Sequence, residues 1–188
     1  MAAPTRLGIQ FFTTSGGTAT VPSGTKGVVA FASHWSSSSS SLSTISLGGA
    51  GSFTIANNLA VNAGGSNSTG QAVAHAAVTT TGSQTFSFTF SASPEEGPIL
   101  ALVYYDGIDN TDWIRATAAD SDIEATNPTA TVSSATDDEV VVYHQKFGAA
   151  PAVSSGFTSQ GTTSNNSEFA LVATANSPGA TNTTYTAT

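Results

Sequence analysis

The stretch QTFSFTF, Gln84 to Phe90, decides how this chain folds. In an extended chain, successive side chains point to opposite faces, so Phe86, Phe88 and Phe90 share one face and Ser87 and Thr89 the other. Three phenylalanines on one face remove on the order of 450 Å² from water. That face is a core wall, and the segment is a strand buried on one side.

Working outward, the neighbouring segments have the same character. Strands are expected at 7–13 (LGIQFFT), 26–33 (KGVVAFAS), 43–48 (STISLG), 52–56 (SFTIA) and 71–79 (QAVAHAAVT). Beyond the phenylalanine strand they are expected at 98–105 (PILALVYY), 129–133 (TATVS), 139–147 (EVVVYHQKF), 167–175 (SEFALVATA) and 181–188 (TNTTYTAT). β-Branched and aromatic residues fill these runs, and Gly, Pro, Asn and Ser clusters separate them. The continuous apolar runs GVVAFA, ILALV and EVVVY suit strands in the middle of a sandwich. The serine run at 36–41 and the polar stretches at 62–70 and 154–167 read as loops. Helical periodicity is nearly absent, so no helices are available to cover a parallel sheet. The expected fold is all-β: a mainly antiparallel β-sandwich, jelly-roll-like, with an immunoglobulin-like sandwich as the alternative.

The chain has 188 residues, about the size of one domain, and its composition shifts nowhere enough to cut it in two. Residues 1–20 read as an N-terminal arm and first strand, the first six or seven residues as a loose arm, and 21–188 as a single β-sandwich domain. There is no cysteine, so neither disulfides nor thiolate metal sites contribute. Only 9% of residues are charged and the net charge is −8. An acidic chain lacks the basic face that nucleic acid requires, and it is repelled by anionic membrane surfaces. No segment approaches the roughly 20 apolar residues of a membrane helix. The start, MAAPTRLGIQFF, has no apolar run of signal-peptide length. A surface-type composition without a visible route out of the cell is itself a clue to function.

Chemistry has few places to reside. Asp106, Asp109 and Asp112 recur at three-residue spacing in YYDGIDNTDW, and eleven of the twelve acids fall between Glu95 and Glu139. With backbone carbonyls, those three aspartates could supply several oxygen ligands to calcium, although the segment does not match the EF-hand pattern. The competing reading is turn chemistry, because Asp-Gly and Asp-Asn steps bond their own backbone at a strand end. His34, His75 and His144 are scattered, with no HExxH pair, and no GxSxG elbow is present. No enzyme activity is expected, and no cofactor beyond that calcium ion. Trp35 and Trp113 lie where strands meet loops, and Tyr104, within the expected strand 98–105, is a further aromatic that could face a ligand. The tryptophans are either platforms for the apolar face of a sugar or lids on the ends of the core.

In order, TKGVVAFASHW, STISLGGAGSFTIANN, QAVAHAAV, GSQTFSFTFSASPEEGPILALVYYDGIDNTDWI and ATDDEVVVYHQKF, with a closing alternating strand, resemble a β-sandwich domain of bacterial surface proteins and tailed-bacteriophage virion proteins. In that domain an aliphatic strand leads into a Gly-Val-Asp-like turn, matched by Gly107, Ile108 and Asp109. An Asp-Asp step then opens a second aliphatic strand, matched by Asp137, Asp138 and EVVVY. The resemblance covers roughly residues 21 to 188, by pattern more than identity. Trp113 and the long acidic stretch after it depart from the pattern. The resemblance implies a structural or adhesive module with no catalytic residues to transfer. The expected function is a structural virion protein: a capsid decoration or head-fibre protein, or a small tail accessory. It would be homo-oligomeric and partnered by a major capsid or tail protein. The alternative is a carbohydrate-binding or adhesin module facing a cell-surface glycan, extracellular or on a bacterial surface.

Overall fold

The structure is a computed structural model and describes residues 4–36, 38–62, 68–92, 96–108, 114, 116–118, 129–135, 138–176 and 181–186. Among these there is no helix. The first half forms strands Thr5–Phe12 (β1), Gly16–Val21 (β2), Gly27–Ser36 (β3), Leu42–Leu47 (β4), Thr54–Asn62 (β5), Ser68–Ala77 (β6), Gly82–Phe90 (β7) and Glu96–Asp106 (β8). The second half adds Thr129–Ser134 (β9), Glu139–Phe147 (β10), Thr158–Asn165 (β11), Glu168–Asn176 (β12) and Thr181–Thr186 (β13).

The first eight strands make a five-stranded sheet, β1-β8-β3-β6-β5, facing a three-stranded sheet, β2-β7-β4, with every pair antiparallel. The pairings nest: β1 with β8, β2 with β7, β3 with β6. This is the wrapping of a jelly roll, as the phenylalanine strand and its neighbours suggested. One pairing of that pattern is missing. β5 pairs with β6 in the larger sheet, and among the described residues no strand lies beside the outer edge of β4.

Two side-chain amides close the seams between the sheets. At β4, the Asn58 amide accepts from Leu42 N–H at 2.9 Å and donates to Leu42 C=O at 3.0 Å. At β2, Gln10 does the same for Thr20, at 3.1 and 2.7 Å. Each amide satisfies one residue's backbone pair as a neighbouring strand would.

The alternation expected for β7 holds: Phe86 and Phe88 are buried, Phe90 is half-buried, and Ser87 and Thr89 are exposed. β3 and β8 behave differently, with both of their faces covered. Val28, Ala30, Ala32, Leu100, Leu102 and Tyr104 pack against Leu42, Leu47, Phe86 and Phe88. The alternate residues Val29, Phe31, Ala101, Val103 and Tyr105 pack against Val141, Tyr143 and Val172. Those last residues belong to a further sheet, β10-β12-β11, which lies on the outer side of the five-stranded one. Its own far side, through Leu171 and Ala173, packs on Tyr185 of the two-stranded ribbon β13-β9. The described residues therefore form a stack of four sheets rather than the two layers of a single sandwich. Burying a large apolar side chain contributes about 1.5–3 kcal/mol, and the five-stranded sheet collects this on both faces.

Other expectations change as well. The first residues are not a loose arm from Thr5 onward, because β1 pairs with β8 from Thr5 to Phe12. β11 lies within the stretch 154–167 read as loop, and β2 follows the one strand expected in residues 1–20 as a second, yet both are edge strands held by backbone pairing.

Candidate functional site

Asp106 ends β8, and its carboxylate accepts from the Gly107 N–H at 2.7 Å. Gly107 has φ +73°, a left-handed conformation that glycine adopts without strain. This local bond is the turn chemistry expected of an Asp-Gly step. Asp109, Asp112 and Trp113 lie outside the described residues. Among the described residues no group of three or more His, Asp or Glu side chains converges as a metal would require.

Tyr104 is removed as a ligand platform. Its ring is fully buried in the jelly-roll core, and its hydroxyl reaches Gln10 at 3.4 Å. Burial pushes the phenol above its ordinary range, so it stays protonated. The reason is alternation: Leu100, Leu102 and Tyr104 share the inward face of β8. Trp35, at the end of β3, is half-buried and stacks on Phe147, with ring centroids 4.7 Å apart. Phe147 is 54% exposed. Sequence reasoning missed Phe147 because, in EVVVYHQKF, it reads as the last residue of an apolar strand.

Between the five-stranded sheet and β10-β12-β11, the apolar centre is bounded by a polar belt at each end. At one end Arg6 ion-pairs with Glu139 and donates to Gln160 at 2.9 Å, while the Tyr105 hydroxyl donates to Glu139 at 2.5 Å. Burial first, and then the Glu139 charge, push the Tyr105 phenol far upward. At the other end the Ser33 and Tyr143 hydroxyls lie 2.5 Å apart. There Gln145 donates to Glu168, which is only 1% exposed. The Arg6 network and the Ser33–Tyr143 pair tie two sheets together, while the Gln145–Glu168 bond lies within β10-β12-β11.

The histidines follow the same logic. His34 is fully buried and stacks on Phe90 at a centroid distance of 4.0 Å, and among the described residues neither ring nitrogen has a hydrogen-bond partner. Desolvation lowers its pKa to about 4. A Cβ on Gly70 would come within 2.9 Å of that ring and 2.6 Å of the Ser40 carbonyl, so the position admits only glycine. His144 meets the Tyr185 hydroxyl at 3.2 Å, and burial, then the Lys146 charge, lower its pKa to about 4.

The outermost faces of the stack carry hydroxyl ladders. On the β2-β7-β4 side Thr44 meets Thr89 at 2.7 Å and Ser46 meets Ser87 at 2.9 Å. On the ribbon Thr131 meets Thr184 at 2.7 Å and Ser133 meets Asn182 at 3.3 Å. Cross-strand Thr and Ser pairs of this kind stabilise a sheet and leave a flat, neutral surface. Comparison with known proteins finds no matching family model, no matching curated protein and no matching solved structure.

Proposed function

We propose that the protein is a structural component of a tailed-bacteriophage virion: a capsid decoration or head-fibre protein, or a small tail accessory. In this role it is a homo-oligomer bound to a major capsid or tail protein. The observation that carries the reading is the pair of uncharged hydroxyl ladders that end a densely packed stack of sheets. Ordinary soluble surfaces intersperse charges of both signs, which keep molecules apart. A surface of neutral hydroxyls over a stiff core is suited to lying against other protein, and the β-sandwich resemblance points the same way. The protein works by occupying a place, without a reaction, a cofactor or a bound metal.

The test is composition of the particle. Virions purified from a lysate that expresses this chain should contain it at a fixed ratio to the major shell or tail protein. Recovery of the chain only in the particle-free supernatant would sink the proposal.

One observation favours a second reading, a carbohydrate-binding module: Phe147 presents an exposed ring backed by Trp35. Aromatic faces of this kind hold the apolar face of a pyranose. Retardation of the chain on electrophoresis through neutral polysaccharide, lost in Phe147→Ala, would support that alternative.

A further inference from the structure

Among the described residues the outer edge of β4 is open where a jelly roll would carry another strand. Gly48 N–H donates to Thr85 C=O at 2.7 Å, so the register turns Thr44 and Ser46 toward β7 and the backbone groups of Ile45 and Leu47 away from it. Asn58 closes the seam at Leu42, and Leu47 C=O is taken by Ala50 N–H at 3.1 Å. The N–H and C=O of Ile45 and the N–H of Leu47 are left facing the seam. A groove of about 490 Å³ runs along these residues, walled by Ser43–Leu47 on one side and by Ala50–Phe53 and Ile55 on the other. Ile55 is 38% exposed there.

Among the described residues nothing on this edge opposes a guest. Natural edge strands are blocked by charges, prolines or bulges that turn the edge away. β4 has a bulge between Leu42 and Thr44, at the end Asn58 already closes, and from Thr44 to Leu47 it has none of these devices. From Gly27 to Pro94 the sequence has no Asp, Glu, Lys or Arg. Strands β2, β4 and β7 are wholly uncharged, while the acids begin at Glu95. For a chain of net charge −8, a contact between two copies through any acidic surface sets like charges against each other. The β2-β7-β4 sheet is an uncharged surface on which two copies can meet without that cost, and of the uncharged faces it is the one that also carries a groove along an edge strand. A neutral edge also fits an antiparallel copy of itself, which is what a twofold contact requires.

We propose that β4 pairs with β4 of a second copy across a twofold axis, joining the two β2-β7-β4 sheets into one continuous six-stranded sheet. Each β4 then supplies the strand that the other's jelly roll lacks, by strand addition at an open edge. Each copy aligns its Thr44 and Ser46 hydroxyls with those of its partner on the shared outer face. This inference rests on the reading of the chain as an assembling building block, and it is tested apart from the particle.

The experiment is sedimentation velocity over a range of concentrations on four proteins: the unaltered chain, Thr44→Lys/Ser46→Lys, Thr44→Glu/Ser46→Glu, and a control Thr184→Lys on the distant ribbon. The unaltered chain and the control should self-associate alike. Each edge variant should associate at least about tenfold more weakly, since like charges then face each other across the axis. An equimolar mixture of the Lys and Glu variants should regain the complex. That rescue requires both variants to be folded, so loss of association by misfolding is recognised by its failure together with a lowered melting temperature. In that case the single variant Ser43→Lys, on an exposed residue at the end of the groove, replaces the pair and should weaken association in the same direction. A chain that is monomeric throughout, an oligomer indifferent to the edge charges, or one dissociated by the control overturns the pairing. None of these outcomes bears on whether purified virions contain the chain, so the two readings fail separately.

Discussion

At His34, a buried ring without hydrogen bonds among the described residues makes a pH prediction whose sign is fixed. The folded pKa is about 4 against 6.5 for the free side chain, so between these values the unfolded chain holds the extra proton. The contribution of His34 to stability is fully present above about pH 6.5 and is lost progressively as the pH falls toward 4. A shift of this size corresponds to about 3 kcal/mol. Urea unfolding at several pH values should show the slope, and His34→Leu should reduce it, leaving the part that His144 contributes, without weakening the protein at pH 7. The last point follows because replacing unpartnered polar atoms by apolar ones of similar volume is close to neutral. An unchanged slope would mean that the ring titrates freely. Asp106 supports a second expectation. Its carboxylate is used by Gly107 N–H, so Asp106→Asn keeps the acceptor and should change stability by less than about 0.5 kcal/mol. A chelator should likewise leave the melting temperature where it is. A drop in both would restore the aspartates as calcium ligands. The turn at Asp106 was legible because Asp-Gly chemistry is local. The burial of Tyr104 was not, since YY at a strand end gives no sign of which ring faces the core.

At the scale of elements, Arg6, Glu139, Tyr105 and Gln160 tie β1, β8, β10 and β11 into one network across two sheets. Arg6 and Glu139 are 22% and 15% exposed, so the pair sits between surface and interior and is screened only in part. Glu139→Ala removes the charged partner of Arg6, which keeps only Gln160, and the carboxylate that the Tyr105 hydroxyl donates to, and should cost about 2–3 kcal/mol in urea unfolding. Tyr105→Phe, which removes one donor, should cost about 1–1.5 kcal/mol. The double variant should cost less than the sum, by at least about 0.5 kcal/mol, because both act through the same carboxylate. Simple additivity would show that the two bonds are independent. No sequence pattern links Arg6 to Glu139, 133 positions apart. The strands the sequence failed to announce share a physical cause. TSQGTTSN of β11 is an edge strand with no apolar residue to bury, and GGTATV of β2 is an edge strand that alternates only over its last four residues, with the small Ala19 and Val21 inward, a weaker signal than the phenylalanines of β7. Their positions are set by backbone pairing with a partner that is itself well patterned.

For the whole molecule, the runs GVVAFA and ILALV carried more information than a two-layer reading extracts from them. A strand with one solvated face alternates, whereas one apolar at every position needs a cover on both faces. β3 and the second half of β8 have such covers, which is why the jelly roll continues into β10-β12-β11 and then into β13-β9. The sandwich and its antiparallel pairing were legible in the period-two segments, and the extra layers were latent in the segments without a period. The consequence can be tested by cutting the chain. A fragment of residues 1–108 retains both sheets of the jelly roll and the core between them, since all of those strands lie within it. It also uncovers Val29, Phe31, Val73, Ala101, Val103 and Tyr105, a contiguous apolar face that soluble monomers do not expose. This fragment should aggregate on expression. The same fragment carrying Val29→Thr, Phe31→Thr and Val103→Thr should be soluble and monomeric or dimeric, with a β-type circular dichroism spectrum and a cooperative melt, because its own core is untouched. If the unaltered fragment is soluble, the second pair of sheets is an appendage and the apolar runs are explained by something other than stacking. If the substituted fragment stays unfolded, the layers form one indivisible core, and the jelly roll is a topology within it rather than a unit able to stand alone.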